Sequence, residues 1–586
     1  MLRRRVRTGV VLVAIAAAGI GGRAQTTYRT LNDRFAPPRH ATRAAWEARA
    51  RALREHVLVS AGLVPLPEKT PLNPTVFADI TRADYIVSKV YFESLPGFYV
   101  TGNLYRPIGA GPFPAILSPH GHWTYGRLEN TPTTSGPGRA IGLARQGFVV
   151  FTFDMIGYLD SQQLAHTFGG RREQLWGLSL AGLQLWNSIR AVDFLESLPY
   201  VRRDAIGATG ESGGGTQTFL LAAVDPRIAA AAPVNMISLH MQGGCLCENA
   251  PGLRLETNNV EIASTIAPRP LLMVSATGDW TNETMELEFP AVRAIYDLYG
   301  AADRVRAVRI DAEHNYNRAS REAMYAFMAR ALQNGPADIK IEERGFTPEP
   351  LQDLLVFHRR ALPANAVDAG QLTANWIAAA RRQLAAVDPE TAATALRHVL
   401  GYLDPPSDAQ AAPRPARVTT VLLAEPDAAL ERALQRKGLK TAAIRFTPFD
   451  ASAAATIRHF ETYNRTAAGQ RVADIVAAVR ATPGAAIVAS GDSALAAILA
   501  SAIARPSAAV LDVGAFDTSS DDDFLAHVYI PGLRRAGDLQ TAARTLPAQT
   551  IVHNAGPHFA IGGVNPQSRK LTADEIAGAI AAAVRK

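Results

Sequence analysis

From about residue 113 the chain alternates short runs of consecutive apolar residues with longer stretches of helical period. The apolar runs fall at 113–119, 147–154, 205–209, 228–234, 269–276 and 305–310. Each is too short for an amphipathic helix and reads as a strand, and the run at 205–209, apolar and non-periodic, reads as a buried parallel one. The stretches 178–198, 215–224, 289–299 and 319–332 carry helical spacing between them. Strands and helices in alternation predict a mostly parallel sheet with helices on both faces. Upstream, 85–92 and 99–105 flank Ser94-Leu95-Pro96-Gly97, the pattern of an antiparallel hairpin. Residues 41–63 read as a helix outside this unit. A proline-rich stretch, 65–74, reads as a segment wrapping its surface.

The junction between the run at 205–209 and the helix after it is Gly210-Glu211-Ser212-Gly213-Gly214. Strand, G-x-S-x-G and helix is the context of a nucleophile elbow, in which flanking glycines let the chain turn sharply beneath a serine. Three further motifs end apolar runs in chain order: His120-Gly121-His122-Trp123, Thr277-Gly278-Asp279-Trp280 and Glu313-His314-Asn315-Tyr316. With these four motifs, residues 81–335 resemble the α/β-hydrolase fold. At finer grain they are similar to the exported bacterial acetyl xylan esterase and dienelactone hydrolase-like group.

That resemblance implies a nucleophile, acid and histidine in the order Ser212, Asp279, His314, each just past a strand end. His314 is expected to take the Ser212 proton and return it to the leaving alcohol, with a buried carboxylate fixing its tautomer. Glu248, in the insertion at 235–262, is the rival acid, since some esterases of this fold draw theirs from there. The tetrahedral oxyanion needs two backbone donors. The expected pair is the N–H of Gly213 and the N–H of His122. Trp123, Trp280 and Tyr316 are expected either to form an aromatic wall for a sugar ring or to pack in the core. The implied activity is an exported serine carboxylic-ester hydrolase removing acetyl or similar acyl groups from carbohydrate. A prolyl-oligopeptidase-like serine peptidase is the alternative, although some 80 residues upstream are too few for a propeller. A non-catalytic periplasmic binding module is the other.

The second half supplies a connector, 336–416, with helices expected at 351–360 and 371–387 and a proline-rich linker at 404–415. Residues 486–493 then align without a gap to 205–212. Both are preceded by an amphipathic helix and followed by one rich in alanine and leucine, so 417–586 reads as a duplicated hydrolase-like domain. Ser493 is followed by Ala494 and Leu495 where an elbow needs glycine, so the copy is expected to be degenerate and non-catalytic. Packing, shaping the cleft, or homo-oligomerisation are the roles left to it.

Composition changes this picture little. With 48% hydrophobic and 19% charged residues the chain is ordinarily globular. Five arginines in the first 23 residues account for most of the formal charge of +7, so nothing points to nucleic acid. Arg3, Arg4, Arg5 and Arg7, an apolar run at 10–20 and Gly22-Arg23-Ala24 read as a secretory signal peptide over 1–24. The arginines also suit twin-arginine export, and no stable membrane insertion is expected after cleavage. Cys245 and Cys247 are the only cysteines. A bridge between them would be strained, and two thiols alone make no zinc site. They read as small buried residues of a loop near the active site, and no metal or cofactor is expected.

Overall fold

The computed structural model describes residues 28–403 and 420–585. The segment 1–24, expected to be a signal peptide, and the linker expected at 404–415 therefore lie outside the described residues.

Nine strands form the first sheet: β1 (Thr75–Thr81), β2 (Ile86–Leu95), β3 (Phe98–Arg106), β4 (Phe113–Pro119), β5 (Val149–Phe153), β6 (Val201–Glu211), β7 (Ile228–Val234), β8 (Leu271–Ala276) and β9 (Val305–Ile310). Their order is β1-β2-β3-β5-β4-β6-β7-β8-β9. The pairs β1–β2, β2–β3 and β3–β5 are antiparallel, and the remaining pairs are parallel. β4, β5 and β8 are almost wholly buried, as continuous apolar runs require of strands covered on both faces. This is the expected α/β-hydrolase arrangement, and it sets the C-terminal ends of β4, β6, β8 and β9 along one edge.

Helices Leu180–Ser197, Gly213–Val224 and Phe289–Asp297 bury apolar faces in one core layer, with Ile206, Phe151 and Met273 from the sheet. Helices Gly136–Arg145 and Arg318–Gln333 close the other face, around Tyr325, Met328 and Ile116. The upstream helix Arg43–Ser60 is capped by the Thr42 hydroxyl and packs Trp46, Leu53 and Val57 into the first layer. His56 of that helix is buried, with its Nε2 donating to the Gly252 carbonyl at 3.0 Å. Burial drives its pKa down to about 3, with His398 nearby adding to the shift. Below the ordinary histidine range the unfolded chain takes up a proton that the folded chain refuses, so stability falls as pH drops from 6.5 toward 3. His56→Gln keeps a donor for Gly252. In urea titrations at several pH values it is expected to flatten the dependence by about 1.4 kcal/mol per pH unit. An unchanged slope would show that His56 does not titrate this way.

Three expectations for connecting segments need correction. The segment after the prolines is not only a wrap: β1 is a strand with an alternating, mostly exposed pattern at the antiparallel edge. The helix expected over 351–360 is the single turn Leu351–Leu354. A second connector helix, Pro389–Val399, follows Ala369–Ala386. Asp388 caps it and Pro389 occupies its first turn, where a missing N–H costs nothing.

The second half holds a five-stranded parallel sheet: β10 (Thr420–Leu423), β11 (Lys440–Ala443), β12 (Ala486–Ser490), β13 (Ala509–Asp512) and β14 (Thr550–His553). Its order, β11-β10-β12-β13-β14, repeats the order β5-β4-β6-β7-β8 of the first sheet. After β12, however, the residue in the elbow conformation is Gly491, at φ 53° and ψ −131°. Ser212 stands at φ 55° and ψ −121°. The counterpart of Ser212 by backbone is thus Gly491, which has no side chain, and the gap-free alignment onto Ser493 is out by two residues. Ser493 is itself buried in the following helix. The half is also tied to the first domain. Backbone N–H groups of Gly252 and Arg254 donate to the carbonyls of Glu461 and Thr462, and Tyr463 Oη donates to Asn249 Oδ1 at 2.8 Å.

Candidate active site

β6 runs straight into Ser212, whose N–H donates to the Val234 carbonyl at 3.0 Å before the chain turns into the helix Gly213–Val224. A non-glycine residue at positive φ with ψ near −120° is strained by about 1–3 kcal/mol. Neighbouring contacts hold it there. A Cβ on Gly210 would lie 2.5 Å from the Pro119 carbonyl oxygen, and one on Gly214 would lie 2.6 Å from the same atom. The two glycines thus let the end of β4 close down on the turn. The loop that follows, Gly121-His122-Trp123, lies directly over the elbow, with the His122 ring against Gly213. Neither the Gly213 nor the His122 N–H has a protein acceptor among the described residues.

Asp279 follows β8, and His314 follows β9. The His314 Nδ1 meets Asp279 Oδ2 at 2.9 Å, with the carboxylate almost fully buried and the imidazole a quarter exposed. The other carboxylate oxygen accepts from Thr281 N at 2.7 Å and from the Thr281 hydroxyl at 2.5 Å. Trp280 stacks on the His314 ring at 4.6 Å between centroids, and Trp123 stacks at 6.2 Å. Asn235 Nδ2 donates to the Asn315 carbonyl at 3.0 Å, tying the histidine loop to the residue after β7. The Ser212 hydroxyl makes no hydrogen bond to another described residue.

Beneath the serine lies a buried ion pair. Glu211 Oε2 meets Arg139 Nη1 at 2.9 Å, and Glu211 Oε1 accepts from Trp123 Nε1 at 2.8 Å and from Thr134 Oγ1 at 3.2 Å. Arg139 also donates to Ser118 at 2.9 Å and lies over the Tyr316 ring at 4.5 Å. Glu211 therefore braces the loop that carries Trp123. Arg139, its partner, has no local sequence signal. His120 is buried and neutral, its pKa driven down to about 3 by burial. Its Nδ1 donates to Gly121 O and its Nε2 accepts from Met155 N at 2.9 Å.

Two alternatives left open by the sequence are decided here. Tyr316 faces no cleft: it is fully buried, with its hydroxyl 2.6 Å from Thr209 Oγ1. Glu248 does not meet His314. One of its oxygens accepts from Thr216 Oγ1, and the other from the N–H groups of Gly244 and Cys245 at 2.9 and 3.0 Å. It shapes the turn of the two cysteines, where the sequence offered two thiols only. The fold adds His122 and His166 to them, and the four donor atoms lie within 4.8 Å of one another. Cys247, together with both imidazoles, pulls the Cys245 pKa far below the ordinary thiol range, whereas burial pushes Cys247 up.

No family model matches the chain. Among solved structures it is similar to Methylesterase BT1017, with 32% identity, a TM-score of 0.51, and 57% of this chain and 75% of that one covered. It is 26% identical over 288 residues to "Putative hydrolase YtaP" of Bacillus subtilis (strain 168), covering 46% of this chain and 95% of that protein. A putative acetyl xylan esterase from Bacteroides fragilis NCTC 9343 is 18% identical at a TM-score of 0.39, with 51% and 86% covered.

Proposed function

Because the chain belongs to the α/β-hydrolase superfamily, we propose that it is an exported serine esterase acting on esterified carbohydrate through an acyl-enzyme on Ser212. The observation carrying this reading is the 2.9 Å bond between His314 and Asp279 at the sheet edge where Ser212 is held at positive φ. His314 Nε2 takes the serine proton as Ser212 Oγ attacks the ester carbonyl. The N–H groups of Gly213 and His122 receive the oxyanion, and the imidazolium returns its proton to the departing alcohol. Water then repeats the sequence to release the acid. Trp123 and Trp280, both half-buried beside His314, offer flat apolar faces to a sugar ring.

An acetylated sugar and a methyl-esterified sugar acid present the same ester to this machinery with the sugar on opposite sides. The acetyl reading follows from the sequence motifs, and the likeness to a methylesterase favours the second. A prolyl-oligopeptidase-like peptidase is the alternative, since it would use the same serine, acid and histidine. The test is incubation of the mature protein with short-chain nitrophenyl esters, acetylated xylan, a methyl-esterified polyuronate and prolyl peptides. Acetate or methanol release is expected and identifies the ester. Peptide cleavage alone, or inertness to all four, would sink the proposal. Export rests on the N-terminal segment, and sequencing the secreted form should find a terminus following Ala24.

A further inference from the structure

Three loops without a common secondary structure meet beside the elbow: the one after β4, the one after β5, and the insertion after β7. They bring His122, His166, Cys245 and Cys247 together. His122 Nε2 lies 3.0 Å from Cys247 Sγ, and His166 Nε2 lies 3.2 Å from Cys245 Sγ. All four donor atoms fall within 4.8 Å of one another. Tetrahedral zinc, with bonds of about 2.0–2.1 Å to nitrogen and about 2.3 Å to sulfur, places its ligands roughly 3.4–3.8 Å apart. Small rotations of these side chains reach that spacing.

The surroundings suit ligation. His166 Nδ1 donates to the Ile156 carbonyl at 2.6 Å, which fixes the tautomer and leaves the Nε2 lone pair facing the thiols. The cysteine turn is preorganised. Glu248 accepts its N–H groups, and Asn249 Nδ2 donates to the Gly243 and Cys245 carbonyls at 2.9 and 2.7 Å. Arg254, fully buried, holds the Asn249 side chain in turn. Cys247 is buried while the other three are partly exposed, so an ion has a route in. Two thiolates and two neutral imidazoles neutralise a dication, and this soft donor set selects zinc over magnesium or calcium.

We propose that His122, His166, Cys245 and Cys247 form a zinc site that clamps the three loops beside Ser212. The ion would replace the Cys247 thiol proton, releasing it to solvent. It would also hold the His122 loop against the elbow, and Glu248 would serve it by shaping the cysteine turn.

The test loads the reduced full-length protein with zinc, removes the excess, and measures metal per chain by mass spectrometry. One zinc per chain is expected, with a higher thermal midpoint than the chelated protein. Cobalt in its place should give thiolate-to-metal charge-transfer and tetrahedral d–d bands. The Cys245→Ser/Cys247→Ser double variant should lose the charge-transfer bands and the zinc-dependent thermal shift. Should that variant fold poorly, His166→Gln is the second probe, expected to weaken zinc binding by at least the roughly 10–100-fold that loss of an outer-shell partner costs. Substoichiometric zinc in the reduced wild type, or full retention by the variants, would overturn the site. So would native cysteines joined as a disulfide that takes up no metal after reduction.

Discussion

Ser212→Ala is expected to lower kcat for nitrophenyl acetate by about 10⁵–10⁶-fold, leaving only what the oxyanion donors and binding contribute. The second sheet offers no substitute serine: Ser493 is buried in a helix, and Gly491 occupies the corresponding turn. The fold should tolerate the change. The Ser212 side chain makes no hydrogen bond to a described residue, and its N–H and C=O stay bonded to Val234 and Thr216. Alanine at φ 55° bears the same backbone strain as serine, so the thermal midpoint should barely move. Measuring turnover beside thermal denaturation separates lost chemistry from lost structure. Equal activity in the two proteins would remove Ser212 from the mechanism.

The parts of this fold legible in the sequence are those where burial alone decides the pattern. β4 and β7 begin and end where their apolar runs do, because a strand covered on both faces has no polar positions to blur it. β1 was illegible for the opposite reason. Its alternation, with most positions exposed, follows a proline-rich stretch and carries little apolar signal. The helix Pro389–Val399 was hidden because Asp388-Pro389 looks like a break, although it is a good first turn. At the site, the turn at Ser212 and the pairing of Asp279 with His314 were readable because each residue follows a strand. Arg139 and His166 were not, because their roles depend on partners 72 and 79 residues away in the chain. The place of Tyr316 was undecided in the sequence for a related reason. Standing two residues from His314 says nothing about which side of the loop its ring takes, and the ring packs under Arg139.

Asp279→Asn is expected to cost about 10⁴-fold in kcat, with KM little changed, and Glu248→Gln is not. Thr281 explains why so small a change is so costly. Its hydroxyl accepts from Ala276 N at 3.1 Å, so its proton is directed at Asp279 Oδ1, and its N–H points to the same oxygen. An asparagine must place its carbonyl oxygen there to satisfy both donors. Its NH2 group then faces His314 Nδ1, where Asp279 Oδ2 now accepts. Two donors cannot face each other, so the imidazole shifts its proton to Nε2, the atom that must receive the Ser212 proton. The enzyme keeps its shape and loses its base. Glu248 touches Thr216 and the cysteine turn but not His314, so Glu248→Gln should act on the stability of that loop. Single-turnover kinetics on both variants, at saturating ester, read the difference directly. If Asp279→Asn stays within about tenfold of wild type while Glu248→Gln falls by orders of magnitude, the insertion supplies the acid after all.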